Sequence, residues 1–282
     1  MGSMSGSLNH AMIDDGQAKK AQYCADHFGE PGWDDPTTLY IDQRYAGYTP
    51  ENQESWTTLF DRQMAFLADN ASQTYLSGAK SINLRRDRIP PLDDINSRLK
   101  PMTGWQSRGV PGYIPAKAFF ACLARREFPT TIVIRPKESL DYLPEPDIFH
   151  DIFGHVPLHA DPIFADFLQT YGQAALLTDD PYHTERLARL FWFTVEFGLV
   201  REDGRIKLYG SGLISSPGES THALTSPEVD RRPFDFDRVC DTTFEIDHYQ
   251  PILYVLESFE QLRDAMTRYA NMLLAMKKPA AV

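Results

Sequence analysis

The stretch PDIFHDIFGHVPLHADP, residues 146–162, carries the most specific pattern in the chain. Its first two histidines, His150 and His155, are five residues apart, which on an ideal α-helix places them about 140° apart. Gly154 and Pro157 predict that a helix ends there, and a bend at that point would turn both imidazoles toward one metal ion. The spacing alone fits a core histidine beside a helix-capping histidine equally well.

A second segment, RLFWFTVEFGLV at residues 189–200, places a carboxylate within an almost continuous apolar run. A helix that is apolar on nearly all sides is expected to be buried, and burying an ionised Glu196 is costly unless it is paired or bound to a metal. An ion pair with Arg186 or Arg189 is the alternative to a metal. Two histidines and one carboxylate form the facial triad that suits mononuclear non-haem iron(II).

Zinc is the competing metal, because two histidines and a glutamate also build hydrolytic zinc sites. Those sites usually carry H-E-x-x-H, with the glutamate directly after the first histidine acting as general base. Here Asp151 follows His150, and His155 comes one residue later than that motif requires. A zinc-dependent hydrolase therefore stays as the alternative from another functional class.

The composition excludes several classes of partner. The chain has 282 residues, 42% of them hydrophobic, and a net charge of -11, which makes nucleic acid a poor partner. No stretch is long and apolar enough for a membrane span. Three widely spaced cysteines, Cys24, Cys122 and Cys240, predict reduced thiols in a cytoplasmic protein rather than disulfides.

Hydrophobic periodicity predicts a mostly α-helical protein with a few short β-strands. We expect residues 1–48 to be an N-terminal tail and irregular wrapping segment, residues 49–276 a catalytic domain, and residues 277–282 a C-terminal tail. The predicted strands are residues 130–134 and, after a turn at Asp203-Gly204, residues 206–209. One predicted helix starts at Thr49-Pro50. The other predicted helices cover residues 92–99, 116–126, 146–154, 161–175, 181–200 and 256–276.

Three motifs in order, EPDIFHDIFGHVPL, WFTVEFGL and LYGSGLISSPGE, resemble the pterin-dependent aromatic amino acid hydroxylases, and most of all the bacterial phenylalanine 4-hydroxylases. Weaker similarity runs from Trp56 through GVPGYIP to YVLESFEQL, so the resemblance covers about three quarters of the chain. It implies a single catalytic domain of that type. It also implies Fe(II), tetrahydrobiopterin or a related reduced pterin, and O2 as co-substrate.

The same resemblance implies roles for individual residues on the iron and substrate side. His150, His155 and Glu196 match the catalytic iron ligands. Arg135 matches the arginine that grips the substrate carboxylate, with a surface arginine near Glu138 as the alternative. The remaining positions that match the substrate side are Asp147, which supports that arginine; Trp192, which lines the aromatic pocket unless it is a core residue; Ser215, which hydrogen-bonds an iron-ligand histidine; and Gly212 and Ser216.

On the cofactor side, the resemblance implies that Gly112, Tyr113 and Ile114 read the pteridine ring through their backbone. Phe119 matches the phenylalanine that stacks on that ring. Asp151 stands where the family often has a glutamate near the pterin. Two further departures are Pro129, in place of a histidine of animal members, and Phe191, in place of a common tyrosine.

Trp192 also indicates the substrate, because the tryptophan hydroxylases tend to carry phenylalanine at that position. We therefore expect conversion of L-phenylalanine to L-tyrosine, with 3-hydroxylation of phenylalanine or 5-hydroxylation of tryptophan as alternatives. The chain shows neither a regulatory domain nor sustained C-terminal heptads, so we expect a cytoplasmic monomer whose partners are the amino acid and the pterin.

Overall fold

Helices form most of the fold in the computed structural model, which describes residues 11–141, 145–246 and 248–277. The α-helices are α1 Asp15–Asp26, α2 Pro50–Asn70, α3 Gln73–Ser81, α4 Leu92–Thr103, α5 Ala116–Ala124, α6 Pro162–Ala175, α7 Pro181–Phe191, α8 Ser211–Ser215, α9 Pro217–Thr225, α10 Phe236–Asp241 and α11 Phe259–Lys277. The strands are β1 Gln106–Val110, β2 Glu127–Thr131, β3 Leu199–Glu202, β4 Arg205–Leu208, β5 Asp230–Pro233 and β6 Ile252–Leu256. The predicted mostly α architecture with a few short strands is confirmed.

Short non-α segments connect these elements at the places that matter most for the site. Two are π-helical, Phe149–His155 and Trp192–Glu196. The 3₁₀ turns cover Pro36–Leu39, Tyr45–Gly47, Lys137–Ser139 and Val156–Ala160. Since π-helical turns are rare and concentrate at functional sites, their position over the predicted metal ligands is informative.

The predicted helix starts at Thr49-Pro50 and near Asp161 are confirmed by their caps. The Thr49 side chain accepts a hydrogen bond from the backbone N–H of Asn52, whose side chain in turn accepts from the Thr49 N–H, so a complete capping box opens α2. The Asp161 carboxylate accepts the first free N–H groups of α6, and proline follows as the first helical residue.

The strands form two separate sheets. β1 and β2 make a parallel pair, and the other four lie in the order β4-β3-β6-β5. The turn at Asp203-Gly204 is confirmed, since both residues have positive φ and join β3 to β4 as a hairpin. The strand predicted at residues 130–134 lies earlier in the chain, because pairing with β1 fixes it at Glu127–Thr131.

Three predicted segments are corrected by the structure. Residues 15–26 form α1 rather than irregular wrapping, and Asp14 caps this helix. The pattern did not reveal it because the helix buries only Ala21 and Cys24 and so lacks a clear apolar stripe. The helix predicted over residues 181–200 stops before β3, and the one predicted from residue 256 begins at Phe259. Apolar residues that were predicted to end one helix and begin the other, Leu199, Val200 and Leu256, lie instead in the paired strands β3 and β6.

The boundaries predicted for the domain remain predictions. Residues 1–10 and 278–282 lie outside the described residues, and α11 extends to Lys277, the first residue of the predicted tail. Among the described residues no helix is both long and apolar enough to cross a membrane. All three cysteines are buried and free of disulfides, in line with the reduced thiols expected from their spacing.

Candidate active site

The first π-helix explains the five-residue spacing of the two histidines. Hydrogen bonds from residue i to i+5 place residues five apart nearly above one another, so His150 and His155 point to the same side. The predicted bend at Gly154 is therefore wrong, because the wider turn of the π-helix brings the two imidazoles together without a bend. Gly154 favours the close approach of α8, since an added Cβ would lie 3.0 Å from the carbonyl oxygen of Ser211 and would require α8 to shift by a few tenths of an ångström.

The second π-helix brings the carboxylate to the same point. The backbone N–H of Phe197 donates to the carbonyl of Trp192 at 2.9 Å, which is the i+5 bond that closes the wide turn. Glu196 is the last residue of this turn, and its side chain is only 16% exposed. Residues from two distant parts of the sequence thus meet where two π-helical turns face each other.

The alternative ion pairs for Glu196 are not formed. Arg186 bonds two aspartates of α10 instead, at 2.5 Å each, and Arg189 bonds Glu185 one turn earlier on α7. Among the described residues, the group with suitable ligand atoms within 4.8 Å of one another consists of His150, His155 and Glu196.

The three ligand atoms have spacings that suit a metal ion. His155 Nε2 lies 3.2 Å from His150 Nε2 and 3.2 Å from Glu196 Oε1, and His150 Nε2 lies 3.7 Å from Glu196 Oε2. Ligand atoms at right angles, each about 2.1 Å from a first-row metal, would be about 3 Å apart. The residues therefore fit a facially bound divalent ion with positions left open on the other side.

Ser215 fixes the tautomer of His150. The Ser215 hydroxyl donates to the carbonyl of Ser211 at 2.8 Å, so its oxygen accepts from His150 Nδ1–H at 2.9 Å. His150 Nε2 consequently presents a lone pair to the site. Burial lowers the pKa of His150 to about 4, so the ring is neutral at physiological pH, as a metal ligand must be.

Ser211 performs the matching task for the carboxylate, and sequence reasoning missed it. Its hydroxyl donates to Glu196 Oε2 at 2.7 Å. Burial alone would raise the pKa of Glu196, but the charge and hydrogen bond of His155, with further help from His150 and Ser211, hold it at about 2. The signal was present in the sequence, because Ser211 precedes Ser215 by four residues and so shares its helix face.

Arg135 and Asp147 form a buried bidentate ion pair beside the ligands. Arg135 Nε and Nη2 donate to the two oxygens of Asp147 at 2.8 and 2.9 Å, with the side chains 10% and 0% exposed. Burial would raise the pKa of Asp147, but the hydrogen bonds and charge of Arg135 outweigh it and keep the pKa below its usual value. The alternative of a surface arginine near Glu138 is not what the structure contains.

Asp147 also connects this pair to the metal ligands. Its Oδ1 accepts the backbone N–H of His150 at 3.0 Å, so it satisfies a free N–H group in the first turn of the first π-helix. The guanidinium of Arg135 keeps the two N–H groups of Nη1 and one of Nη2 on its other edge. That edge has the fork geometry that a free carboxylate matches.

Trp192 packs against the edge of the main core at the start of the second π-helix, and its role in lining the aromatic pocket remains a prediction. It is half-buried, stacks on Phe244 with ring centroids 4.4 Å apart, and lies 4.7 Å from the ring of Phe197. Its indole N–H donates to Gln250 Oε1 at 2.9 Å. Gly212 packs against the Phe197 ring, since an added Cβ there would lie 3.0 Å from it. Phe244 and Gln250 were not predicted, because they come from a loop before β6 that carries no recognisable motif.

The predicted pterin residues lie on another side of the ligands. Gly112–Ile114 belong to the loop between β1 and α5, and Phe119 follows on α5. The Phe119 ring makes edge contacts with Phe191 and Phe128, at centroid distances of 5.6 and 6.2 Å. Phe128 lies 4.8 Å from the ring of His155, so one aromatic ring separates Phe119 from an imidazole ligand.

Two predicted residues have clear structural tasks. Asp151 accepts the backbone N–H of Thr131 at 2.6 Å and so ties the first π-helix to β2. Burial raises the pKa of Asp151 to about 7. Ser216 is the N-cap of α9, where its hydroxyl accepts the backbone N–H of Glu219 at 3.4 Å. Their roles toward the pterin and the substrate remain predictions.

Comparison with known proteins assigns the family. The family model described as "Biopterin-dependent aromatic amino acid hydroxylase" matches residues 43–282. A phenylalanine-4-hydroxylase of Ralstonia nicotianae is 44% identical over 225 residues, which are 80% of this chain and 72% of that protein. A tyrosine 3-monooxygenase of Rattus norvegicus is 39% identical over 232 residues, which are 80% of this chain but 46% of that longer protein.

A crystal structure of phenylalanine hydroxylase from Chromobacterium violaceum with bound iron(III) and 7,8-dihydrobiopterin superimposes with a TM-score of 0.79 at 39% identity. The alignment covers 86% of this chain and 88% of that one. The fold, the order of the motifs and the convergent ligand set agree with this similarity. The chain therefore belongs to the biopterin-dependent aromatic amino acid hydroxylases.

Proposed function

We propose that this protein hydroxylates the ring of free L-phenylalanine at C4 to give L-tyrosine, using Fe(II), a reduced pterin and O2. The observation that carries the proposal is the meeting of two imidazoles and one carboxylate beside a buried arginine whose outer donor edge has no bonded partner among the described residues. The bacterial relatives named phenylalanine-4-hydroxylase support phenylalanine as the substrate. The similar identity to a tyrosine 3-monooxygenase makes the substrate a matter for experiment.

The iron and the pterin supply dioxygen activation when they are bound, and the protein contributes position and charge. His150 and His155 would hold the iron as neutral ligands, and Glu196 would balance part of its charge. Ser215 and Ser211 keep the ligand atoms aimed at the metal by fixing one imidazole and the carboxylate.

Arg135 would bind the carboxylate of the amino acid through its free donor edge. Because Asp147 holds the other edge, the guanidinium is already oriented, and less side-chain entropy is lost when the substrate binds. Asp147 also bonds the backbone of His150, so the substrate clamp and the metal ligand share one support.

Aromatic side chains would form the pocket for the substrate ring. Trp192 and Phe197 provide an apolar surface near Glu196, and Gln250 fixes the orientation of the indole. Such a wall excludes water from the reacting ring and favours an uncharged aromatic side chain. Phe119 would provide the corresponding surface for the pteridine ring.

An amino-acid panel tests this function directly. The purified protein, reconstituted with Fe(II), would be supplied with tetrahydrobiopterin, oxygen and each of phenylalanine, tyrosine and tryptophan, with products identified by mass spectrometry and NMR. Tyrosine from phenylalanine is the expected main product. 3-Hydroxyphenylalanine or 5-hydroxytryptophan as the main product would instead establish one of the alternatives. Hydrolytic activity with bound zinc and no hydroxylation would overturn the proposal.

The cellular location, the oligomeric state and the domain boundary of the protein are also proposals. We expect a cytoplasmic protein, supported by three buried cysteines that are all free. We expect a monomer, which light scattering coupled to size-exclusion chromatography would test. The assignment of residues 49–276 as the catalytic domain would be tested by expressing that segment and measuring its iron content.

A further inference from the structure

A small apolar cluster lies behind the loop that is proposed to read the pterin. It is separate from the main core and is contributed largely by chain that precedes the matched family region at residue 43. Its buried members are Cys24, Leu39 and Ala118, with Ala25, Phe28, Trp33 and Ile114 packed against them. Ile114 belongs to the loop and Ala118 to the first turn of α5, so this cluster supports the end of the loop.

The start of the same loop is held by the backbone. The N–H of Ile41 donates to the carbonyl of Gly109 at 2.8 Å. A Cβ at Gly109 would lie 2.6 Å from the carbonyl oxygen of Ile41, so the two backbones touch with no room for a side chain. Residues 39 and 41 therefore hold the loop at both of its ends.

Tyr40, between them, fastens this segment to β2. Its hydroxyl donates to Glu127 Oε2 at 3.0 Å and is largely buried. Glu127 is itself bonded by Arg108 at 3.0 Å and by Arg125 at 2.8 Å. Arg108, which shares Glu127 with Tyr40, is the residue immediately before Gly109. Residues 39–41 are therefore linked to the strand before the loop, to the loop itself and to the helix after it.

The other side of the loop faces solvent. Pro111 and Gly112 are partly exposed, Tyr113 is 69% exposed, and Ala116 and Lys117 are exposed. The contacts behind the loop are therefore its main packing support. A ligand that is recognised by backbone groups needs that shape to exist before it binds, since its apparent Kd rises as the competent fraction falls.

We infer that Leu39, Tyr40 and Ile41 are positioning residues that hold the Gly109–Pro115 loop in its pterin-binding shape. The inference rests on the proposed function for the identity of the ligand. It assigns a task to a segment that lies before the matched family region.

Binding of 7,8-dihydrobiopterin to the iron-loaded protein tests the inference without turnover. Leu39→Ala truncates one of the three buried members of the cluster against which Ile114 packs, and if the loop keeps its shape about a tenth of the time the Kd rises about tenfold. Leu67→Ala is the matched control, because Leu67 is equally buried but belongs to the main core on α2. Tyr40→Phe keeps the ring and removes the hydroxyl's bonds to Glu127 and to Cys122 Sγ, so we expect a smaller rise in Kd and a smaller loss of thermal stability than in Leu39→Ala.

Two further readouts separate a positioning role from general destabilisation. Hydrogen exchange of residues 109–115 should be faster in Leu39→Ala and unchanged in Leu67→Ala. In turnover, the KM for the pterin should rise while kcat and the KM for phenylalanine stay near wild type.

Equal loss of pterin binding in Leu39→Ala and Leu67→Ala would overturn the inference, as would wild-type Kd and wild-type exchange in Leu39→Ala. If the wild-type protein hydroxylates nothing and binds no pterin, the proposed function fails and the ligand part of the inference fails with it. Hydrogen exchange would still decide, in that case, whether residues 39–41 hold the loop.

Discussion

The iron side and the pterin side of the site are held in different ways. On the iron side, polar side chains are fixed by hydrogen bonds between Ser215 and His150, between Ser211 and Glu196, and between Arg135 and Asp147. On the pterin side, the loop is held mainly by apolar packing and by one backbone bond between Ile41 and Gly109, with Tyr40 bonding Glu127 behind it.

This difference predicts how substitutions on each side of the site should act. A buried polar network is costly when one member is removed, because its partners are left without their bonds. Apolar packing fails gradually, in proportion to the contact that is lost. Substitutions on the iron side should therefore have large effects that spread to metal content and folding, and substitutions on the pterin side should have small effects confined to the pterin.

Glu196→Ala should have the largest effect. Losing a supporting bond to a metal ligand costs about 10- to 100-fold, and losing the ligand itself should exceed that. We expect iron content near background and no detectable tyrosine, measured by metal analysis and chromatography. Glu228→Ala removes an exposed carboxylate and is the control. Normal iron content in Glu196→Ala would contradict the assigned ligand set.

Asp147→Asn should cost about 3–5 kcal/mol of unfolding free energy, because it leaves the buried guanidinium of Arg135 without a counter-charge. The KM for phenylalanine should rise as well, since Arg135 loses the contact that orients it. Asp141→Asn is the matched control: Asp141 also pairs with an arginine, Arg62, but is 97% exposed, so its loss should cost little. Urea denaturation measures both variants.

The same pair predicts a dependence on acid. The pKa of Asp147 is lower in the folded protein than in the unfolded chain. Ionised Asp147 therefore stabilises the folded state. That stability is present above the unfolded pKa and is lost as the pH falls through the folded pKa. The difference in unfolding free energy between wild type and Asp147→Asn should therefore shrink toward low pH. A constant difference down to pH 3 would contradict the assigned cause.

Ser215→Ala should weaken iron binding by about 10- to 100-fold, because the His150 ring loses the acceptor that fixes its orientation. A chelator competition measures the iron affinity, and thermal unfolding of the apo protein shows whether the fold is intact. Ser97→Ala, at an exposed position on α4, is the control. Unchanged iron affinity would mean that packing alone orients the imidazole.

The sequence predicted which three residues converge on the iron side but not the geometry that joins them. Residue types, burial and the surrounding motifs selected His150, His155 and Glu196 as candidate ligands. The two π-helices were not predictable from the pattern, because segments of seven and five residues are too short for their periodicity to be distinguished from that of an α-helix. The long helix predicted through residue 200 failed for a related reason: a continuous apolar run fits a buried strand as well as a buried helix.

The contacts that come from distant loops could not be predicted either. Gln250 and Phe244 hold Trp192, and Tyr40 reaches Glu127, in each case across more than 50 residues of chain. Such pairs carry no local spacing that a pattern could detect. The helix caps at Thr49 and Asp161 were predictable because the cap and its partners lie within one turn.

Phe119→Leu should have the smallest effect and sharpens the comparison most. An aromatic contact contributes about 0.5–1.5 kcal/mol beyond its area, so the KM for the pterin should rise about two- to tenfold. Phe120→Leu is the control, because Phe120 is the next residue on α5 and is equally half-buried, but its ring packs on Tyr171 and on Phe119 without an aromatic contact to Phe128 or Phe191 among the described residues. We expect both variants to keep wild-type iron content and a wild-type KM for phenylalanine. Loss of iron in Phe119→Leu would mean that the two sides of the site are one network, linked through Phe128 and His155.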